Sequence, residues 1–267
     1  MNPKVIYFDL GDTLVYFRSS NYWIAALWAA YYIWRSKGKL LMPWVLRRAL
    51  EDAFRAELLE RNGNGLSQVK DELSELRYWE DFFKQVLARI GLSENHSILI
   101  AWLARRYMDP RSYACFPEVR YVLKQLRDQG ILLGVLSNAF PSADGIMRHL
   151  NLMQYFKIII FSYEIPHIPP KPQPEIYRYA LSFKEVQEAI QSREQVWFVD
   201  DRSKFVDGAS EVGLHALQID RENVLQPDQA GCIANLKYLL FRSKPGTQKT
   251  AYLMPNYCPL SYFESIG

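Results

Sequence analysis

The chain has 267 residues, 49% of them hydrophobic and 23% charged, and its 32 Lys and Arg against 29 Asp and Glu leave a net charge of +3. This composition excludes a disordered chain, and the scatter of Lys and Arg excludes the basic stripe of a nucleic-acid binder. Three widely spaced cysteines, Cys115, Cys232 and Cys258, fit neither a disulfide framework nor a paired-cysteine metal site, so a reducing cytoplasmic location is expected.

The N-terminus runs without a signal-peptide pattern into Val5-Ile-Tyr-Phe8, an apolar run that reads as a strand buried on both faces. It turns polar at once with Asp9, Gly11, Asp12 and Thr13. In open parallel sheets the ligand crevice lies outside the carboxyl ends of the strands, which is where these acids fall. From residue 18 to 111 the period becomes helical. Ile24, Leu27, Trp28 and Tyr31 mark one apolar stripe, residues 44–59 follow Pro43, residues 74–90 end at Gly91, and residues 94–107 complete the set. The turn-rich stretch 62–65 separates the second helix from the third. The mostly apolar stretch 22–34 is too short to span a bilayer, which takes about 20 residues. Arg35, Lys37 and Lys39 follow it, so an interfacial helix is the alternative to the buried one expected, and no stable membrane insertion is expected.

From Pro117 onward strands and helices alternate. Helices are expected at 117–129, 143–150, 174–192 and 204–212, and strands at 131–136, 157–161, 196–199 and 216–219, which argues a parallel sheet covered on both faces. A last helix is expected at 228–241, capped by Asp228. Residues 1–17 and 112–242 therefore read as an α/β core, 18–111 as an inserted helical unit, and 243–267 as an irregular tail.

Three of these strand or helix ends carry polar groups suited to a phosphate or a metal. Ser137 and Asn138 follow the strand at 131–136, Lys171 precedes a proline-rich helix start, and Asp200-Asp201 end the strand at 196–199. A serine hydroxyl and an amide can bind phosphate oxygens, a lysine near a helix start reinforces an anion site, and paired carboxylates suit a hard cation. Cys115 has no identifiable histidine partner and reads as core, and His167 reads as an ordinary loop residue.

Taken in order, Asp9 to Thr13, Ser137-Asn138, Lys171 and Asp200-Asp201 resemble the haloacid dehalogenase superfamily of aspartate-nucleophile phosphohydrolases. The resemblance covers residues 4 to about 240 and implies a Rossmann-like three-layer core with a parallel sheet, plus an inserted all-helical cap of the C1 type. It implies Asp9 as nucleophile, Ser137 and Lys171 as catalytic partners on phosphate, and Asn138 and Thr13 as substrate contacts. It also implies Mg²⁺ held by Asp9, the Gly11 carbonyl and Asp201, with Asp200 in support. The expected reaction is hydrolysis of a small phosphorylated metabolite through an aspartyl-phosphate. Substitution of Ser137 or Lys171 is expected to weaken turnover and spare the fold, because both lie at element ends.

One departure is serious: Gly11 stands where the family places its general acid, work typically worth about 10² to 10⁴-fold. Asp12 is the candidate substitute, although one step along an extended chain reverses a side chain's direction. Two other readings follow from Gly11. Haloacid dehalogenases also lack that acid but use no metal, and a non-catalytic binding protein needs none. Six of the seven tryptophans, residues 23, 28, 34, 44, 79 and 102, fall within 18–111, and their helical spacing makes core packing the expectation for most of them.

Overall fold

A computed structural model describes residues 2–38, 40–61, 68–92, 96–221 and 231–242. The expected turn at 62–65, Asp228, the tail at 243–267 and Cys258 lie outside these residues.

Six parallel strands form the core sheet in the order β5-β4-β1-β6-β7-β8. They are β1 (Val5–Phe8), β4 (Leu132–Ser137), β5 (Ile158–Phe161), β6 (Val196–Asp200), β7 (His215–Ile219) and β8 (Cys232–Ile233). β1 is central, with Val5 opposite Leu132 on one side and Val196 on the other. All four β1 side chains are fully buried, and each such burial stabilises by roughly 1.5–3 kcal/mol. Alternate residues serve opposite faces of the sheet. Ile6, Phe8, Val135 and Val199 pack with α5 (Val119–Asp128), α6 (Ser142–His149) and α10 (Tyr238–Arg242), represented by Val122, Ile146 and Leu239. Val5, Tyr7, Leu136 and Phe198 pack with α7 (Pro174–Leu181), α8 (Lys184–Ala189) and α9 (Ser203–Glu211), represented by Ile176, Val186 and Ala209. The result is the three-layer α/β fold.

Between β1 and α5 the chain leaves the sheet and returns. Strands β2 (Val15–Phe17) and β3 (Tyr113–Cys115) pair antiparallel, with Phe17 opposite Tyr113, where the chain departs and re-enters. This ribbon is absent from the expected elements, since three-residue strands about 100 positions apart leave no period to read. The excursion holds α1 (Ser19–Lys37), α2 (Pro43–Arg61), α3 (Glu72–Arg89) and α4 (Ser97–Met108), which share a hydrophobic cluster of their own around Phe54, Trp79, Phe82 and Leu99. α3 starts with a capping box in which Asp71 accepts from the Ser74 N–H at 2.8 Å and the Ser74 hydroxyl accepts from the Asp71 N–H at 3.1 Å.

Several expectations are corrected. The stripe Ile24, Leu27, Trp28 and Tyr31 faces outward, and the inward face of α1 is Ala25, Ala26, Ala29 and Ile33. The small side chains of α1 take the contact, and its long apolar side chains are left outside. Of the six tryptophans in this region only Trp79 is buried, while Trp28, Trp34 and Trp44 are exposed. The single helix expected at 174–192 breaks at Phe183, whose backbone is extended, into α7 and α8. The helix expected at 228–241 shrinks to α10, because Cys232 and Ile233 pair with Gln218 and Ile219 as an edge strand. Among the described residues no helix is long and apolar enough to cross a membrane.

Candidate active site

The carboxyl ends of β1, β4 and β6 meet at one point of the sheet edge. β1 delivers Asp9, which is 8% exposed and whose N–H bonds the Val199 carbonyl at 2.9 Å. β4 ends in Ser137, whose hydroxyl donates to Asp9 Oδ1 at 2.9 Å. β6 ends in Asp200, fully buried, with Asp201 next to it. Three separated sequence segments converge because neighbouring parallel strands end level with one another.

Lys171 joins these groups from the loop before α7. Its ammonium donates to Asp9 Oδ1 at 2.7 Å and to Asp200 Oδ2 at 2.6 Å, with the side chain fully buried. The Phe198 and Phe205 rings flank it at 5.2 and 4.8 Å. Burial alone would pull the ammonium below its ordinary range, but Asp200 and Asp9 outweigh burial and hold it above. A simple position at an element end is therefore not the whole account of Lys171, which is a buried counter-ion.

The loop carrying Lys171 is fixed from two sides. Asn138 Nδ2 donates to the Lys171 carbonyl at 2.8 Å, and the Lys171 N–H donates to Asn138 Oδ1 at 2.9 Å. Both ends of the amide are thus engaged with backbone, so Asn138 ties down the loop that carries Lys171. On the other side α9 lies so close that a Cβ on Gly208 would sit 2.4 Å from the Pro172 carbonyl. Neither constraint has a signal in the sequence beyond the residue types themselves.

Asp9, Asp200 and Asp201 each offer a carboxylate oxygen, and the three atoms lie within 4.8 Å of one another. An all-oxygen donor set of this size and charge fits a hard divalent cation such as Mg²⁺. The electrostatics agree. Burial, followed by the charges of Asp9, Asp200 and Asp12, pushes the Asp201 carboxyl up to about 9, and burial also raises Asp200 despite Lys171. One ammonium does not neutralise this concentration of acid. Asp200 is further bonded by the Arg202 N–H at 2.9 Å, while the Asp201 side chain makes no hydrogen bond among the described residues.

The turn after β1 separates Gly11 from Asp12. Gly11 is exposed, its backbone is not left-handed, and a Cβ there would meet nothing within 4 Å. Asp12 is the residue in the left-handed region, at φ 54°, a conformation that Asp tolerates better than most side chains. Its charge, behind burial, contributes to raising the Tyr22 and Tyr107 phenols. These two line a cavity of about 20 Å³, room for one water, together with Phe17, Phe54, Trp102 and Arg106. Thr13 is fully buried, and its hydroxyl has no hydrogen-bond partner among the described residues. Its carbonyl instead accepts from Arg221, which also pairs with the buried Glu118 and stacks on Phe116 at 3.9 Å. Arg221 and Glu118 were not singled out from sequence, where two isolated charges about 100 residues apart carry no signal.

The helical unit touches the core beside this site. Glu75 of α3 accepts from the Ser142 N–H at 2.8 Å and the Ser142 hydroxyl at 2.5 Å, and Phe140 packs on Trp79 with ring centroids 4.9 Å apart. Both partners lie on the loop and helix start that follow Ser137. His167 is exposed, and burial holds the Cys115 thiol above its ordinary range.

Residues 3–213 match the haloacid dehalogenase-like hydrolase family. The human haloacid dehalogenase-like hydrolase domain-containing protein 3 is 23% identical over 195 residues, 72% of this chain and 74% of its own. A dehalogenase of known structure superposes with a TM-score of 0.63 at 18% identity, covering 89% of this chain and 95% of its own. The HAD-hydrolase YfnB of Bacillus subtilis, solved bound to magnesium, gives 0.60 at 18% identity over 91% and 99%. At these identities the structures show the fold alone, and solved neighbours include both phosphatases and dehalogenases. With a family match across most of its length, the chain belongs to the haloacid dehalogenase-like hydrolases.

Proposed function

We propose that the protein is a Mg²⁺-dependent phosphohydrolase that acts on a small phosphorylated metabolite through an aspartyl-phosphate, with the helical unit as its cap. The observation that carries this reading is the cluster of Asp9, Asp200 and Asp201 oxygens within 4.8 Å. A displacement at carbon by a carboxylate needs one acid, whereas two anionic reactants must be brought together across a cation.

Asp9, Asp201 and the Gly11 carbonyl would hold the ion, with Asp200 in support. Bound there, it would neutralise phosphate oxygens and lower the repulsion between the substrate and Asp9. Asp9 attacks phosphorus in line, the bond to the leaving oxygen breaks, and water then hydrolyses the acyl phosphate. Lys171 and the Ser137 hydroxyl, both within 3 Å of Asp9 Oδ1, hold that oxygen and leave the other free to attack. On this reading they are also the donors offered to the transferred group. With Gly11 offering no proton, the reaction favours leaving groups that depart unaided, and Asp12 is the carboxylate at hand to assist the others. A cytoplasmic location belongs to the same reading, favoured by the free thiols of Cys115 and Cys232.

The test is phosphate release from an aryl phosphate with and without Mg²⁺, in the wild type and in Asp9→Asn. Release that requires Mg²⁺ and vanishes in the variant is expected. Equal rates in a chelator, or an active variant, would remove the aspartyl-phosphate mechanism.

A further inference from the structure

Helix α1 is apolar on both sides. Ala25, Ala26, Ala29 and Ile33 are at most 2% exposed and pack into the helical unit, while Ile24, Leu27, Trp28, Tyr31 and Trp34 on the other side are 36 to 55% exposed. A helix apolar all round is ordinarily covered all round. Here the outer face has no covering element among the described residues. The surface also extends beyond α1. Trp28 stacks on Trp102 of α4 at 5.9 Å, and Ile98, one turn before Trp102 on α4, is 61% exposed. At the corner between α1 and α2, Leu40, Met42 and Trp44 are exposed as well.

The stretch of chain that builds this surface is basic. Between Asp12 and Glu51 the sequence places Arg18, Arg35, Lys37, Lys39, Arg47 and Arg48 and no carboxylate at all. Arg35 and Arg48 are exposed, as is Arg105 of α4, while Arg47 is paired with Glu51 and lies over the Trp23 ring at 5.1 Å.

From this combination we infer that the outer face of α1 and the corner after it dock on an anionic lipid surface, lying in the interface without crossing it. Trp and Tyr rings seated beside Arg and Lys are the composition of an interfacial helix, and anionic headgroups supply the counter-charge that the chain withholds. A second copy of the chain fits less well. In a closed two-fold contact the same patch meets itself, which brings the exposed Arg35 and Arg48 of one copy toward those of the other. The inference does not depend on the chemistry at Asp9.

The experiment mixes the full-length protein with phosphatidylcholine vesicles, with and without phosphatidylserine. Co-sedimentation with the anionic vesicles is expected, with a blue shift of tryptophan emission as the indoles leave water, and both should fade at high salt. Arg35→Gln and Arg48→Gln should each lower partitioning about fivefold. Trp34→Gln with Trp44→Gln should markedly reduce the blue shift on mixing, leaving the part that Trp28 supplies, while thermal melting and circular dichroism stay as in the wild type, since both side chains are exposed. Failure to bind the anionic vesicles, or equal binding to neutral ones, overturns the inference. So does a dimer in sedimentation equilibrium that Trp34→Gln dissociates, which would assign the face to a second copy.

Discussion

Replacing Lys171 by Met tests the site at its most constrained point. The ammonium lies 2.7 Å from one buried carboxylate and 2.6 Å from another, and at an effective dielectric of about 20 each attraction is about 6 kcal/mol. Desolvation offsets most of that, and removing one partner of a buried pair typically costs about 3–5 kcal/mol because the other charge is stranded. Asp200 limits the loss by taking up a proton, for which burial already prepares it. The sign with pH follows. In the wild type the raised Lys171 keeps its contribution across neutral pH and loses it only as pH rises through its folded value. In the variant Asp200 is raised further above its unfolded value, so the penalty grows as pH rises from the unfolded carboxylate range and is smallest in acid. Urea unfolding followed by tryptophan fluorescence should therefore show a loss of about 4 kcal/mol at pH 8 and distinctly less near pH 5. Mg²⁺ should restore part of it by binding only the folded form. Phosphate release should fall roughly 10² to 10³-fold. A loss below about 1 kcal/mol, or one that ignores pH, would refute the assignment of Lys171 as the buried counter-ion.

Gly11→Asp should fold normally, because its backbone is not left-handed and a Cβ there has open space. It should raise turnover of alkyl phosphates by roughly 10²-fold or more and of aryl phosphates far less; an unchanged ratio of the two kcat/KM values would show that residue 11 does not sit where an acid is needed. Glu75→Ala strands the Ser142 N–H and hydroxyl, so stability should drop by about 1–3 kcal/mol. Hydrogen exchange should then quicken in α3 and at the start of α6 but not in β4, and uniform quickening would contradict a local docking role. Gly208→Ala forces a Cβ toward the Pro172 carbonyl and should cost about 1–3 kcal/mol. Because that loop carries Lys171, kcat should fall with stability, and a variant that melts and turns over like the wild type would show the loop to be free to move.

The fold class was legible because buried parallel strands write themselves as uninterrupted apolar runs. Val5 to Phe8 and Val196 to Val199 could be read, and the polar residues directly after them fell at the strand ends where the site lies. β2, β3 and β8 could not be read, since strands of two or three residues have no period and exist through partners elsewhere in the chain. The outer stripe of α1 misled for a related reason. Periodicity identifies an apolar face, but a helix with two apolar faces does not reveal which one its neighbours will take.

The residue types at the site were likewise set by the sequence, since a carboxylate after β1, a hydroxyl after β4 and an acidic pair after β6 are fixed by position along the chain. What each does was decided by packing. Asn138 binds the Lys171 backbone through both ends of its amide, and the loop carries the Lys171 ammonium into the space between Asp9 and Asp200. Local sequence sets the chemical character of a group, but its partners come from segments 30 to 160 residues away. Only the assembled sheet, with α9 pressed against Pro172, brings those partners within hydrogen-bond distance.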